Sequence, residues 1–243
     1  MIKERLWEVD FFRGIAIILM IIFNWSFALL YLKVYVFNGG FLYWYVFPKF
    51  IGGMFIFLAG LSLTLMYSQI KNKKDSHKKF FSRGLKIFGC GLLITAITYL
   101  TFPEAFIIFG ILHLIGISII LGSFFLKYNK LNLVLGLLII FLGFYLQSFS
   151  FNFSYLLWLG FTPQNFYTFD YWPILPWFGV TLLGIFFGNL LYKNGKRNFK
   201  IKDFSNSFVT RFLDFLGRNS LSIYLIHQPL LVIILLALGF KIF

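Results

Sequence analysis

Seven apolar runs, each close to the length a helix needs to cross a bilayer, constrain this chain more than any other feature. They cover roughly residues 11–31, 46–68, 84–101, 105–126, 131–148, 173–192 and 220–240. A hydrocarbon core offers no water to backbone N–H and C=O groups, so each run must close its hydrogen bonds internally as a helix. Composition agrees. Of 243 residues, 60% are hydrophobic and only 12% charged, and the mean hydropathy of +0.84 is far above that of a soluble domain. The runs leave no room for a soluble domain between them. The expected architecture is all-α: one polytopic transmembrane bundle over residues 1–243 with about seven membrane helices.

The net charge of +14 would suit nucleic acid, but the basic residues sit between the apolar runs, where they act as topology signals and contacts for anionic lipid. Nucleic-acid binding is therefore set aside. With the N-terminus inside, 19 of the 22 lysines and arginines fall on cytoplasmic segments, and only Lys33, Lys49 and Lys241 fall outside. This bias, together with an odd span count, predicts N-terminus in and C-terminus out. The basic start resembles a leader peptide, yet it carries Glu4, Glu8 and Asp10 and no small-residue cleavage site, so it is expected to remain as the first span. Cys90, the single cysteine, lies between Gly89 and Gly91 and reads as packing.

Two connections are long. The outer one, roughly 149–172, is aromatic and nearly uncharged, and is expected to lie in the interface or re-enter, where it would cap a cavity. The inner one, 193–219, carries Phe204, Phe208, Phe212 and Phe215 at helical spacing, with Val209, Leu213 and Leu216 beside them. This predicts an amphipathic helix on the cytoplasmic surface. Small residues such as Gly60, Gly116, Gly184 and Gly188 mark close helix contacts. Pro173 and Pro176 suit a first turn or a kink.

Ionisable and amide groups within or at the edge of the spans are the candidates for function, because they are costly there. On the first span, helical spacing sets Asp10 and Arg13 one turn apart and brings Asn24 onto the same stripe three turns on. His113 lies on the fourth span. On the seventh, Ser220, Tyr224 and His227 share a face that begins at Arg218 and Asn219, with Gln228 and Pro229 beside it. His227 would sit about 10 Å along its helix from the cytoplasmic end. Asp170 and Glu104 stand at span edges, and His77 lies among lysines as a solvated residue. No His, Asp or Glu set has metal-ligand spacing, and neither a Gly-x-Ser-x-Gly elbow nor a glycine-rich phosphate loop is present, so no metal is expected. The spacing alone describes a membrane protein with a polar interior.

Four stretches in order, Arg5-Leu-Trp-Glu-Val-Asp10-Phe-Phe-Arg13-Gly14-Ile-Ala-Ile-Ile-Leu-Met20, Phe109-Gly-Ile-Leu-His113-Leu-Ile-Gly116, Phe169-Asp170-Tyr-Trp-Pro173-Ile-Leu-Pro176-Trp177-Phe-Gly179 and Leu216-Gly217-Arg218-Asn219-Ser220-Leu-Ser-Ile-Tyr224-Leu-Ile-His227-Gln228-Pro229, resemble the heparan-α-glucosaminide N-acetyltransferase catalytic-domain family, including its small prokaryotic members. The resemblance implies transfer of an acetyl or other acyl group from cytoplasmic acyl-CoA to a sugar amine or hydroxyl of a surface or lipid-linked glycan. Such chemistry needs a base, donors for a developing oxyanion and cations for the CoA phosphates. On that reading His227 is the base, and Asp10 or Asp170 is an orienting or substrate-binding carboxylate. Asn24 is an oxyanion or acyl-carbonyl donor, and His113 is a further candidate. Arg13, Arg83, Arg218 and Asn219 are the nucleotide-binding set. The chain departs from the family pattern at Asn24, where similar small members usually carry a histidine, at Ala28, near which they carry an acid, and in the loop 31–47, which lacks a histidine.

The expectation is an acyl-CoA-dependent membrane acyltransferase, multi-pass in the cell membrane. Acetyl-CoA or another acyl-CoA is its co-substrate, membrane lipids and the glycan acceptor are its partners, and a homo-oligomer is compatible with all of this. The alternatives are a small-molecule or lipid transporter on the same bundle, a catalytically inactive relative, or a structural subunit.

Overall fold

The computed structural model describes residues 6–70 and 76–240; Lys3, Glu4, Arg5, Lys71, Lys73, Lys74 and Lys241 lie outside them. Among the described residues, seven apolar helices occupy the seven predicted runs: α1 Trp7–Tyr31, α2 Phe47–Ile70, α3 Ser76–Thr101, α4 Ile111–Gly122, α5 Lys130–Leu146, α6 Ile174–Leu191 and α8 Ser220–Ala237. Between the last two lies α7, Phe208–Arg218, the predicted amphipathic helix. A π-helical turn, Leu42–Val46, leads into α2. Five helices are long and apolar enough to cross a membrane, whereas α4 and α5 are shorter. The chain divides into two compact units, one formed by the residues up to Phe55 with those from Ile201 on, the other by Ile56–Lys200; α2 runs across the boundary.

The first unit is built on the contact of α1 with α7. A Cβ on Gly14 would strike the Leu213 carbonyl, and one on Gly217 would strike the Asp10 carbonyl, so the two backbones touch through reciprocal glycines. Without a hydrophobic driving force in lipid, such close approach is what holds helices together. Thr210, Leu213, Asp214 and Gly217 form the buried face of α7, while Phe208, Val209, Phe212 and Phe215 are exposed. The aromatic stripe thus points outward and the small and polar stripe inward, as suits an interfacial helix anchored by a neighbour. Ile17, Met20 and Ile51 form a core with Leu216, Ile223 and Tyr224 packed against it.

In the second unit, α2 meets α6 through Gly60, set against the Thr181 carbonyl, and Gly184, set against the Phe57 carbonyl. The predicted kink in α6 is present, since Leu175 leaves helical geometry at φ −95°, ψ 122°. The expected fourth span begins later than 105. Residues 105–109 instead bond to the outer loop: Phe169 N–H donates to the Ala105 carbonyl at 3.0 Å, Thr168 Oγ1 to Phe106 at 2.6 Å, and Trp172 N–H to Phe109 at 2.9 Å. The connection 149–172 is therefore pinned to the α3–α4 link by two backbone N–H groups and the Thr168 hydroxyl. On the other side, Tyr192–Lys193 pairs with Lys196–Arg197 as a small hairpin, with Asn194 and Gly195 both at positive φ, the turn that an Asn-Gly pair favours.

Asp170 ties the outer loop to α4. Its Oδ2 accepts the Ile111 N–H at 2.9 Å, and its Oδ1 accepts the Trp172 indole N–H at 2.5 Å. It stands in for the side-chain cap that Gly110 cannot supply, at the end of the helix where negative charge is favoured. Burial nevertheless lifts this carboxyl from its ordinary value to about 6, against the pull of the two donors. The folded chain thus holds a proton that the unfolded chain releases, and stability falls as pH rises from 3.8 to about 6.

Two outcomes follow for the detergent-solubilised protein. Gly14→Val should cost about 1–3 kcal/mol by forcing α1 from α7, whereas Gly89→Ala, with nothing within 4 Å of the added Cβ, should be neutral or gain up to about 1 kcal/mol; chemical denaturation reads both. The melting temperature should decline as pH rises from 3.8 to about 6, and Asp170→Asn should flatten that decline. A slope unchanged in the variant would remove Asp170 as its source.

Candidate functional site

The polar centre of the first unit lies where α1 and α8 run side by side. The His227 Nδ1 lies 2.6 Å from the Tyr224 carbonyl, and its Nε2 lies 3.2 Å from the Asn24 Nδ2. A carbonyl only accepts, so Nδ1 carries the proton and the Nε2 lone pair receives the Asn24 amide; this network assigns the tautomer. His227 is 5% exposed. The unprotonated nitrogen of this imidazole thus faces the Asn24 amide in buried surroundings. Asn24 and His227, from opposite ends of the sequence, are brought together.

The surroundings include groups that the sequence pattern did not single out. Trp25 Nε1 donates to the His227 carbonyl at 3.3 Å, fixing the helix at the imidazole. Ser26 Oγ donates to the Ile22 carbonyl and accepts the Tyr43 hydroxyl, each at 2.8 Å, which ties the π-helical turn to α1. The signal lay in the run Asn24-Trp25-Ser26, three hydrogen-bonding side chains in succession within an apolar span. The Tyr224 ring also lies against His227, with centroids 5.6 Å apart.

At the other end of the same unit lies a charge cluster. Asp10 is 4% exposed and meets Arg13 at 2.7 Å and Arg218 at 3.7 Å; Arg218 also reaches Asp214 at 3.7 Å, and Arg13 the Gly217 carbonyl at 3.5 Å. Asp10 is about 21 Å along α1 from Asn24 and orients the arginines rather than the imidazole. The orienting acceptor of His227 is the Tyr224 carbonyl. The Asn219 amide donates to the Phe215 carbonyl at 2.8 Å and closes α7.

The other candidates belong to the second unit. His113 Nδ1 accepts the Gly110 N–H at 3.2 Å, and its Nε2 lies 3.4 Å from Thr95 Oγ1, which donates to the Ile107 carbonyl at 2.6 Å. With both ring nitrogens engaged and Phe88 and Phe109 against its faces, this imidazole secures the start of α4. Asp170 is the α4 cap already described. Arg83, with Lys78, Lys79, Ser82 and Lys86, lines a groove of about 400 Å³ on α3. His77 is exposed, its ring over Phe124.

No curated protein and no solved structure matches this chain. A family model described as heparan-alpha-glucosaminide N-acetyltransferase, catalytic, matches residues 5–229, nearly its whole length and all four of the stretches that carried the resemblance. With its apolar helices and buried polar centre, the chain is a membrane protein that belongs to the heparan-α-glucosaminide N-acetyltransferase catalytic family.

Proposed function

We propose that the chain is an acyltransferase of the cell membrane that moves an acetyl or other acyl group from acyl-CoA to an amine or hydroxyl of a surface or lipid-linked glycan. The observation that carries this reading is the Nε2 lone pair of His227, held by the Tyr224 carbonyl behind it and met by the Asn24 amide in front, in a chain of an acetyltransferase family. Acyl-CoA, when bound, supplies the thioester carbonyl. The Asn24 amide gives up the imidazole and donates to the carbonyl oxygen as negative charge builds there. His227 Nε2 takes the proton of the attacking amine or hydroxyl and returns it to the departing thiolate, so the imidazole ends neutral. The Tyr224 carbonyl stabilises the imidazolium between those steps, doing through the backbone what a carboxylate does in other triads.

The residues present fit the nucleotide in a limited way. Arg218 keeps 46% of its side chain exposed and makes only long contacts, leaving guanidinium donors for a phosphate, whereas Arg13, at 19%, is committed to Asp10 and the Gly217 carbonyl. Arg218 is accordingly the stronger phosphate contact of the two, and Asp10 its positioning partner.

The test is acceptor-dependent release of CoA from acetyl-CoA by the reconstituted protein, with amino sugars as acceptors. His227→Ala should lower turnover by about 10²-fold or more. Asn24→Ala should lower it by about 10-fold or more, mainly in kcat. Both should keep the parent's melting temperature and elution volume. Turnover in His227→Ala near the parent's, or solute flux with no CoA consumed, would overturn the assignment.

A further inference from the structure

On α3, Lys79, Ser82, Arg83 and Lys86 recur at intervals of three and four residues, so they form one stripe; Lys78 borders it, and the five line the groove of about 400 Å³. All five are exposed. Among the described residues no carboxylate lines this surface. Three cations and a hydroxyl on one helix stripe suit a phosphate group. Below Lys86 the same stripe continues through Gly89, where an added Cβ would meet nothing within 4 Å, and then through Leu93 and Ile97, 57% and 52% exposed. A shallow cationic surface is therefore followed by open space at Gly89 and then by an apolar stripe. From Lys86 to Ile97 the helix rises about 16 Å, close to the depth of one bilayer leaflet.

We infer that this face of α3 is a binding site for an anionic phospholipid. The phosphate of the headgroup lies among Lys79, Ser82, Arg83 and Lys86, the glycerol crosses the open space at Gly89, and an acyl chain follows Leu93 and Ile97. The rail decides between sources of the phosphate, since a soluble anion would use the cations and leave the apolar stripe idle. The site stands independently of acyl transfer.

The test uses the full chain in zwitterionic detergent and follows binding of fluorescent phosphatidylglycerol, with phosphatidylcholine, inorganic phosphate and CoA as comparisons. Phosphatidylglycerol should bind at least tenfold more tightly than phosphatidylcholine. Lys79→Gln with Lys86→Gln should weaken it at least fivefold, and so should Gly89→Leu, which fills the gap without changing charge. Lys196→Gln with Lys200→Gln, an equal loss of charge elsewhere, should leave it unchanged. Equal affinity for the two lipids, an equal loss in the Lys196/Lys200 variant, or displacement of the lipid by micromolar CoA or millimolar phosphate would each overturn the assignment, the last by making the groove a site for soluble phosphates.

Discussion

The reciprocal glycine contact between α1 and α7 is the constraint on which the first unit depends. Because Gly14 and Gly217 carry no Cβ, the two backbones touch, and that contact fixes the height of α7 against α1. Only Asn219 separates α7 from α8, so the start of α8 is fixed with it. Two meetings of distant residues follow from one seat: Asp10 with Arg218 at the level of the glycines, and Asn24 with His227 further along. α1 and α7 run antiparallel, since Asp10 meets Gly217 and Gly14 meets Leu213, whereas α1 and α8 run in the same direction, with Asn24 reaching His227. A side chain at position 14 or 217 would therefore disturb the imidazole without touching it.

The polar groups of this unit are handled in two ways, and the difference bears on what they can do. Asp10 is a buried charge, tolerable only when paired, and it is held by Arg13 at 2.7 Å and at longer range by the half-exposed Arg218. His227 is held by neutral partners alone, a carbonyl and an amide. Among the described residues its Nε2 meets only the Asn24 amide. In the second unit, His113 shows the opposite outcome for the same residue type. Its two nitrogens are bound to Gly110 and Thr95, and the imidazole becomes part of the helix start.

Much of the fold was legible in the residues. Seven apolar runs mark seven apolar helices, because the bilayer's demand for internal hydrogen bonds is a local property of each run. The aromatic spacing of residues 204–215 marked α7, and Asp10 with Arg13 followed from helical pitch. The start of α4 was not legible, since it depends on Asp170, some 60 residues away, which caps the helix while its neighbours bond to residues 105–109. A run of apolar residues does not reveal that a distant loop has claimed the carbonyls at one end of it.

The candidate site divides along the same line. The sequence by itself determined that the chain is a bundle of membrane helices, that Asn24 and His227 are amide and imidazole in apolar surroundings, and that its motifs are those of an acetyltransferase family. Tertiary structure alone decided that these two side chains meet, that the Tyr224 carbonyl and not a carboxylate orients the imidazole, and that Asp170 serves a helix end. The physical reason is range. Hydropathy and helical pitch act over a few residues and can be read in order, whereas a hydrogen bond between residues 203 positions apart exists only once two glycines have let their helices touch.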